Sequence, residues 1–215
     1  MEKIRILCYG DSNTWGYASG TDHQRYPRSI RWPGALAKLL GSDFEIIEEG
    51  LNGRTCVSNE MKDGREGKSG FDYIRPCLDS HDPIDLVIMM LGTNELKYSY
   101  KRTCEEVGVL LEHYLVKSIL RRKSQIDGHF PKLMIVAPPP LNEDANPKIK
   151  KKYMNATKKA MRFNSVYKKI AIKNGCYFVS NEGIEIGVDG IHLDEVGHKK
   201  LALKIYNALK DIYKL

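Results

Sequence analysis

Four short segments carry residue types that could do chemistry together. Gly10-Asp11-Ser12-Asn13 closes an apolar run near the N-terminus, and Glu49-Gly50-Leu51-Asn52-Gly53-Arg54-Thr55 closes a second. Leu91-Gly92-Thr93-Asn94-Glu95 closes a third, and Val188-Asp189-Gly190-Ile191-His192-Leu193 lies near the C-terminus. A serine hydroxyl becomes a nucleophile when a base takes its proton. The base in turn needs an acid to orient it, and a tetrahedral intermediate needs donors for its oxyanion. Ser12, His192 and Asp189 could fill the first three roles, with the Gly53 amide and the Asn94 side chain as donors. Each segment also has a plainer reading. Gly-Asp-Ser suits a turn with a helix cap, Asn94 could cap the next helix, Gly53 could serve a turn at positive φ, and Asp189-Gly190 is a good turn pair.

The elements around these segments decide between the readings. Ile4–Tyr9, Phe44–Glu48, Asp85–Leu91, Lys132–Ala137 and Cys176–Val179 read as buried strands, mostly continuous rather than alternating, as in a parallel sheet covered on both faces. Helical patterns intervene at Trp32–Leu40, Gly70–Asp79, Thr103–Leu120, Lys148–Lys173 and Asp194–Tyr213. Strand–helix alternation throughout predicts one domain over 1–215. Its expected form is a three-layer α/β/α sandwich with right-handed crossovers and a five-stranded parallel sheet in the order 2-1-3-4-5. In that order the first three strand ends are neighbours, and ligands of such sheets sit beyond the carboxyl ends. Asn52–Ser69 and Pro138–Pro147 are the longest loops, as expected beside a pocket. The conjunction of Ser12, Gly53, Asn94 and the Asp189–His192 pair on one edge favours a site. His198 is a rival base, but it lies within the last helical pattern with no Asp three residues before it.

Composition narrows the function classes. The 215 residues are 42% hydrophobic and 28% charged, ordinary for a globular chain. No apolar stretch approaches a membrane span, and the first apolar run leads into Gly10-Asp11 rather than a signal-peptide cleavage site. The five cysteines, Cys8, Cys56, Cys77, Cys104 and Cys176, are odd in number and scattered. That argues against a disulfide framework or a zinc site and suits a reducing cytoplasm; Cys8 and Cys176 read as core thiols. Lys plus Arg exceed Asp plus Glu by 34 to 27. Ten of the basic residues, and no acidic one, fall between Lys148 and Lys173. Ile149, Tyr153, Ala156, Ala160, Phe163, Tyr167 and Ile170 recur there at helical spacing, so the lysines read as the solvated faces of a surface helix rather than a nucleic-acid stripe. Gly64-Arg-Glu-Gly-Lys-Ser69 is not a phosphate loop, because two residues separate its glycines where four are needed.

Gly10-Asp11-Ser12-Asn13, Gly53, Gly92-Thr93-Asn94-Glu95 and Asp189-Gly190-Ile191-His192 resemble the blocks of the SGNH/GDSL hydrolases in order and spacing. The likeness covers essentially the whole chain. It is nearest to the bacterial arylesterase/acyltransferase branch, through "GDSNTWG", "DFEIIEEGLNGRT", "DLVIMMLGTNELK" and "APPPL". The resemblance implies a flavodoxin-like SGNH hydrolase fold with Ser12 as nucleophile, His192 as base and Asp189 as its orienting acid. The implied oxyanion hole comprises the Ser12 and Gly53 N–H groups and the Asn94 amide. Trp15, Asp11 and Asn52 are the expected substrate-binding residues. No metal or cofactor is required, and the implied partner is a small acyl ester, with no nucleic acid or membrane. Assembly as a homo-oligomer follows from the same resemblance. Two positions depart from the family pattern: Asn13 stands where Leu is usual, and Glu95 where Asp is common. The implied activity is that of a serine esterase, with acyl transfer to alcohols alongside hydrolysis. A carbohydrate O-deacetylase and a non-catalytic binding protein on the same scaffold are the other readings.

Overall fold

The sheet places three of the four candidate segments side by side. In the computed structural model, which describes residues 2–59 and 66–214, β1 (Ile4–Gly10) lies between β2 (Phe44–Gly50) and β3 (Leu86–Met90). Beyond β3 come β4 (Lys132–Val136) and β5 (Tyr177–Val179), all parallel, in the order β2-β1-β3-β4-β5. The register pairs Gly10 with both Gly50 and Met90. Three strands therefore end at one level, and the chain leaves each of them into a candidate segment.

Helices cover both faces of the sheet. On one face, α2 (Trp32–Leu40) and α9 (Glu195–Tyr213) pack over Ile6, Cys8, Ile88 and Met90. On the other, α3 (Gly70–Ser80), α4 (Cys104–Leu110) and α8 (Phe163–Lys173) pack over Leu7, Tyr9, Val87 and Met89. Successive residues of β1 and β3 thus feed opposite cores, which is why these strands read as continuous apolar runs. Every residue of β3 is buried, and each large apolar side chain so placed contributes about 1.5–3 kcal/mol. The helix starts follow local capping chemistry. Ser69 accepts from the Asp72 N–H, Asp194 from the Gly197 N–H, and Thr103 with Glu106 forms a reciprocal capping box.

Two predicted helices are less regular than their spacing. The 103–120 helix widens to π-helical geometry over Leu111–Val116 and resumes as α5 (Lys117–Leu120). Leu111, Leu115, Val116 and Ile119 are all fully buried, and the wider turn lets the adjacent pair Leu115–Val116 face the core together. The basic stretch forms three helices, α6 (Pro147–Lys152), α7 (Ala156–Ala160) and α8, instead of one. The first break lies at Asn155, whose φ of 64° is left-handed and cannot continue an α-helix, and the second at Met161–Arg162. Tyr153, Ala156, Ala160, Phe163, Tyr167 and Ile170 are nonetheless buried, so the apolar stripe survives the interruption. Cys8 is a core thiol as expected, whereas Cys176 is half-buried. Residues 60–65, which include Gly64 and Arg65 of the rejected phosphate loop, lie outside the described residues.

Candidate active site

Ser12 opens a single helical turn, α1 (Ser12–Trp15), directly after β1. The Asp11 carboxylate caps it, accepting from the Asn13 N–H at 2.9 Å, and Gly16 ends it in the left-handed region. Any side chain at Gly10 would collide with Thr14 and the Met90 carbonyl, so this turn can fold back onto the strand ends only over glycine. One turn carries little macrodipole, so stabilisation of charge at Ser12 falls to individual N–H groups.

His192 reaches Ser12 from the loop before α9. Its Nε2 lies 2.9 Å from Ser12 Oγ and its Nδ1 lies 2.6 Å from Asp189 Oδ2. The carboxylate fixes the tautomer: Nδ1–H donates to Asp189, leaving Nε2 to accept from the serine hydroxyl. Asp189 Oδ1 also accepts from the Ile191 and His192 N–H groups at 3.0 and 2.9 Å. Burial acts to raise the Asp189 carboxyl, but the hydrogen bond and charge of His192, with these N–H groups, hold it well below the ordinary carboxylate range. Tyr17 stacks on the His192 ring, with centroids 4.2 Å apart and planes 23° apart.

Two further segments leave the neighbouring strand ends. Gly53 has a φ of +79°, in the loop that leaves β2. Asn94 sits in a 3₁₀ turn, Thr93–Leu96, that has no side-chain cap, so the capping alternative does not describe it. Its Nδ2 donates to the Arg54 carbonyl at 3.0 Å, and its Oδ1 accepts from the Tyr153 hydroxyl at 3.2 Å. Arg54 is buried, with its guanidinium 4.2 Å from the Tyr9 ring centroid. It donates to the Gly10 carbonyl at 3.0 Å and also to the Glu49 carbonyl, tying the exits of β1 and β2 to the Gly53 loop.

The expected substrate-binding residues separate. Trp15 is half-buried rather than part of the core. The Arg25 guanidinium lies 4.9 Å over its ring, and the ring tilts against Tyr17. Asn52 is half-buried, and its Oδ1 has no hydrogen-bond partner among the described residues. Asp11 is different: it is 2% exposed and engaged in capping, so it supports the nucleophile's turn from beneath. Burial pushes its carboxyl up to about 6, against the opposing pull of the Asn13 N–H, His192 and Arg54. His198 does not compete as a base. It is fully buried within α9, its Nδ1 accepts from the Trp32 N–H at 3.2 Å, and burial pushes its imidazole down to about 3.

Sequence reasoning missed Tyr17, Arg54 and Tyr153. Arg54 lies inside the quoted second block, while the other two offer only an aromatic near the nucleophile and an apolar helix position. It also missed a group of potential metal ligands. Among the described residues, Glu49, Cys77 and His81 bring one ligand atom each within 4.8 Å of one another. Cys77 lies in the last turn of α3 and His81, four residues on, caps its C-terminus, a spacing visible in the sequence. His81 Nε2 is 3.0 Å from Glu49 Oε1, and burial pushes the Cys77 thiol up to about 12. The trio therefore holds together as a protonated thiol beside the His81–Glu49 pair. No helix among the described residues is long and apolar enough to cross a membrane.

Residues 8–200 match the model of the GDSL-like lipase/acylhydrolase family. The fold superimposes on an aryl esterase from M. smegmatis with a TM-score of 0.89 and 34% identity, over 97% of this chain and 99% of that one. A carbohydrate acetylesterase from Sinorhizobium meliloti gives a TM-score of 0.90 and 34% identity, over 98% and 100% of the two chains. A lipase/acylhydrolase from Enterococcus faecalis, at 16% identity and a TM-score of 0.68 over 97% and 96%, shares the fold alone. Comparison with curated proteins gave no match.

Proposed function

The chain belongs to the GDSL-like lipase/acylhydrolase family and is a carboxylic ester hydrolase, and we propose that it cleaves small acyl esters through an acyl-enzyme on Ser12. The single observation that carries this reading is the placement of His192 between Ser12 Oγ and Asp189, at 2.9 and 2.6 Å. Ser12 Oγ attacks the ester carbonyl while His192 Nε2 takes its proton. The carbonyl oxygen gains charge and is held by the Ser12 and Gly53 N–H groups and the Asn94 amide. Collapse breaks the bond to the alkoxy oxygen, which leaves as the alcohol with the proton from His192. A water then loses a proton to His192 and attacks the acyl carbon, and the acid leaves as Ser12 Oγ is reprotonated. An alcohol in place of that water would give acyl transfer by the same steps.

Asp189 stays ionised throughout and stabilises the imidazolium that forms twice per turnover. Tyr17 offers a π face to that cation at the moment it appears. Short acyl groups are the expected substrates, and likeness to a carbohydrate acetylesterase supports acetylated sugars as the second class. Five cysteines without a disulfide suit a cytoplasmic enzyme, and a homo-oligomer is the expected state. Aryl esters of rising acyl length, assayed beside acetylated monosaccharides and xylo-oligosaccharides, test the reading. Turnover should be fastest on acetyl or propionyl esters and lost on long chains. No hydrolysis of either set by folded protein would overturn it.

A further inference from the structure

The residue after the nucleophile departs from the family pattern, and its side chain is the one that reaches the base's loop. Asn13 is 1% exposed, and its backbone N–H is fixed by Asp11 Oδ1 at 2.9 Å. Its side-chain Oδ1 accepts from the Leu193 N–H at 2.8 Å, and its Nδ2 donates to the Ile191 carbonyl at 3.3 Å. Those two groups flank His192 on either side. One primary amide, adjacent to Ser12 in the chain, thus grips the backbone before and after the base. We infer that Asn13 is a positioning residue, a clamp that sets the Ser12–His192 distance by joining the nucleophile's turn to the base's loop.

The inference rests on the triad reading above, and the side-chain chemistry is specific to an amide. The grip needs a donor and an acceptor on one short side chain, because a backbone N–H faces one atom and a carbonyl the other. Leucine supplies neither, and would leave both buried groups without partners, at a cost that buried backbone seldom bears. The remaining ties of this loop are local or come from elsewhere. Asp189 Oδ1 accepts from Ile191 and His192, the Gly187 N–H donates to the His192 carbonyl at 2.7 Å, and the Asn142 N–H donates to the Gly190 carbonyl at 2.8 Å. These shape the turn and brace it from the 138–147 loop. Two further ties reach the chain beyond the nucleophile's turn: the Asp189 N–H donates to Ser19 Oγ at 3.1 Å, and Tyr17 stacks on the imidazole. Asn13, however, is the residue next to Ser12, and the Ser12–His192 distance is what proton transfer depends on.

An aspartate at this position gives the sharpest test. A protonated carboxyl both donates and accepts and so replaces the amide, whereas the ionised form can only accept and sets a negative charge against the Ile191 carbonyl. The readouts are kcat and KM on a short aryl ester, the rate of Ser12 labelling by a fluorophosphonate, and hydrogen exchange at the Leu193 amide. For Asn13→Leu, Leu193 exchange should quicken, while kcat and labelling fall by about 10²-fold with KM nearly unchanged. For Asn13→Asp, the ratio of variant to wild-type labelling should approach one at low pH and fall as pH rises. Faster Leu193 exchange with unaltered kcat and labelling would overturn the clamp, as would an Asn13→Asp ratio that is flat with pH in folded protein. A wild type that is itself unlabelled at Ser12 would remove the triad reading instead. Should Asn13→Leu fail to fold, the Asn13→Asp ratio alone still decides.

Discussion

The Tyr153 hydroxyl donates to Asn94 Oδ1 at 3.2 Å, and this bond orients the Asn94 amide. With Oδ1 accepting, the NH₂ group must point the other way, where one hydrogen goes to the Arg54 carbonyl at 3.0 Å. The second hydrogen is the one that the proposed reaction would use for the oxyanion. Tyr153 lies at the end of α6, so the segment whose lysines face solvent also carries, on its apolar side, the support of a proposed oxyanion donor.

Asn94→Ala should therefore lower kcat by roughly 10²–10³, with little change in KM, since an oxyanion donor acts in the transition state. The Tyr153 hydroxyl and Arg54 carbonyl also lose a partner, so thermal melts should show a loss of about 1–3 kcal/mol. Steady-state kinetics per folded molecule separate the two effects. A loss of stability with unaltered kcat would take Asn94 out of the site.

Asp189→Asn should keep the loop's shape but favour the wrong His192 tautomer, lowering kcat by about 10⁴-fold. His198→Asn, by contrast, should lower the melting temperature through the Trp32 N–H contact and leave kcat per folded molecule largely intact. The reverse pattern would make His198 the base.

Ser12 should be the sole residue labelled stoichiometrically by a fluorophosphonate, and Ser12→Ala should lower kcat by roughly 10⁴–10⁶-fold. Peptide mass spectrometry locates the adduct. An adduct on Ser69 or another hydroxyl would remove Ser12 as nucleophile.

Glu95 should make stability depend on pH. Its side chain is fully buried, its Oε1 accepts from the Cys56 N–H, and its Oε2 has no partner among the described residues. Burial pushes its carboxyl from 4.5 up to about 7, only partly offset by the Cys56 N–H and Arg102. The folded chain thus keeps a proton that the unfolded chain releases, so this group costs stability increasingly as pH rises from about 4.5 to 7. Glu95→Gln should raise stability by on the order of 2–3 kcal/mol at pH 8, and the gain should shrink towards pH 4. Melts at both pH values check it, and a gain independent of pH would show that the Glu95 carboxyl titrates alike in the folded and unfolded chain.

Chelation should leave turnover unchanged, because each step of the proposed reaction is served by Ser12, His192, Asp189 and the oxyanion donors. Activity assays after EDTA treatment and desalting check this. Loss of activity restored by a divalent cation would bring the Glu49, Cys77 and His81 group into the mechanism.

Much of this fold is a matter of local pattern, and local pattern is written in the sequence. Buried parallel strands must be apolar on both faces, so Ile4–Gly10 and Leu86–Met90 announce themselves. Strand–helix alternation with right-handed crossovers then leaves few orders open, and 2-1-3-4-5 was legible before any coordinate. The segments beyond the first three strand ends, which hold Ser12, Gly53 and Asn94, follow from the same pattern, while the Asp189–His192 pair lies in the loop that leads into α9. What the sequence could not decide are contacts between side chains far apart along it. Asn13 stood out only as a departure from the family pattern, yet its amide meets Ile191 and Leu193 some 180 residues away. Asp11 looked available to substrate, yet burial and the Asn13 N–H make it a cap. The 148–173 stripe has helical spacing, which reports which residues face the core but not whether the backbone between them is continuous. Spacing records one face of one element. The reach of a side chain depends on sheet register and helix packing, which arise only when the whole chain closes on its core.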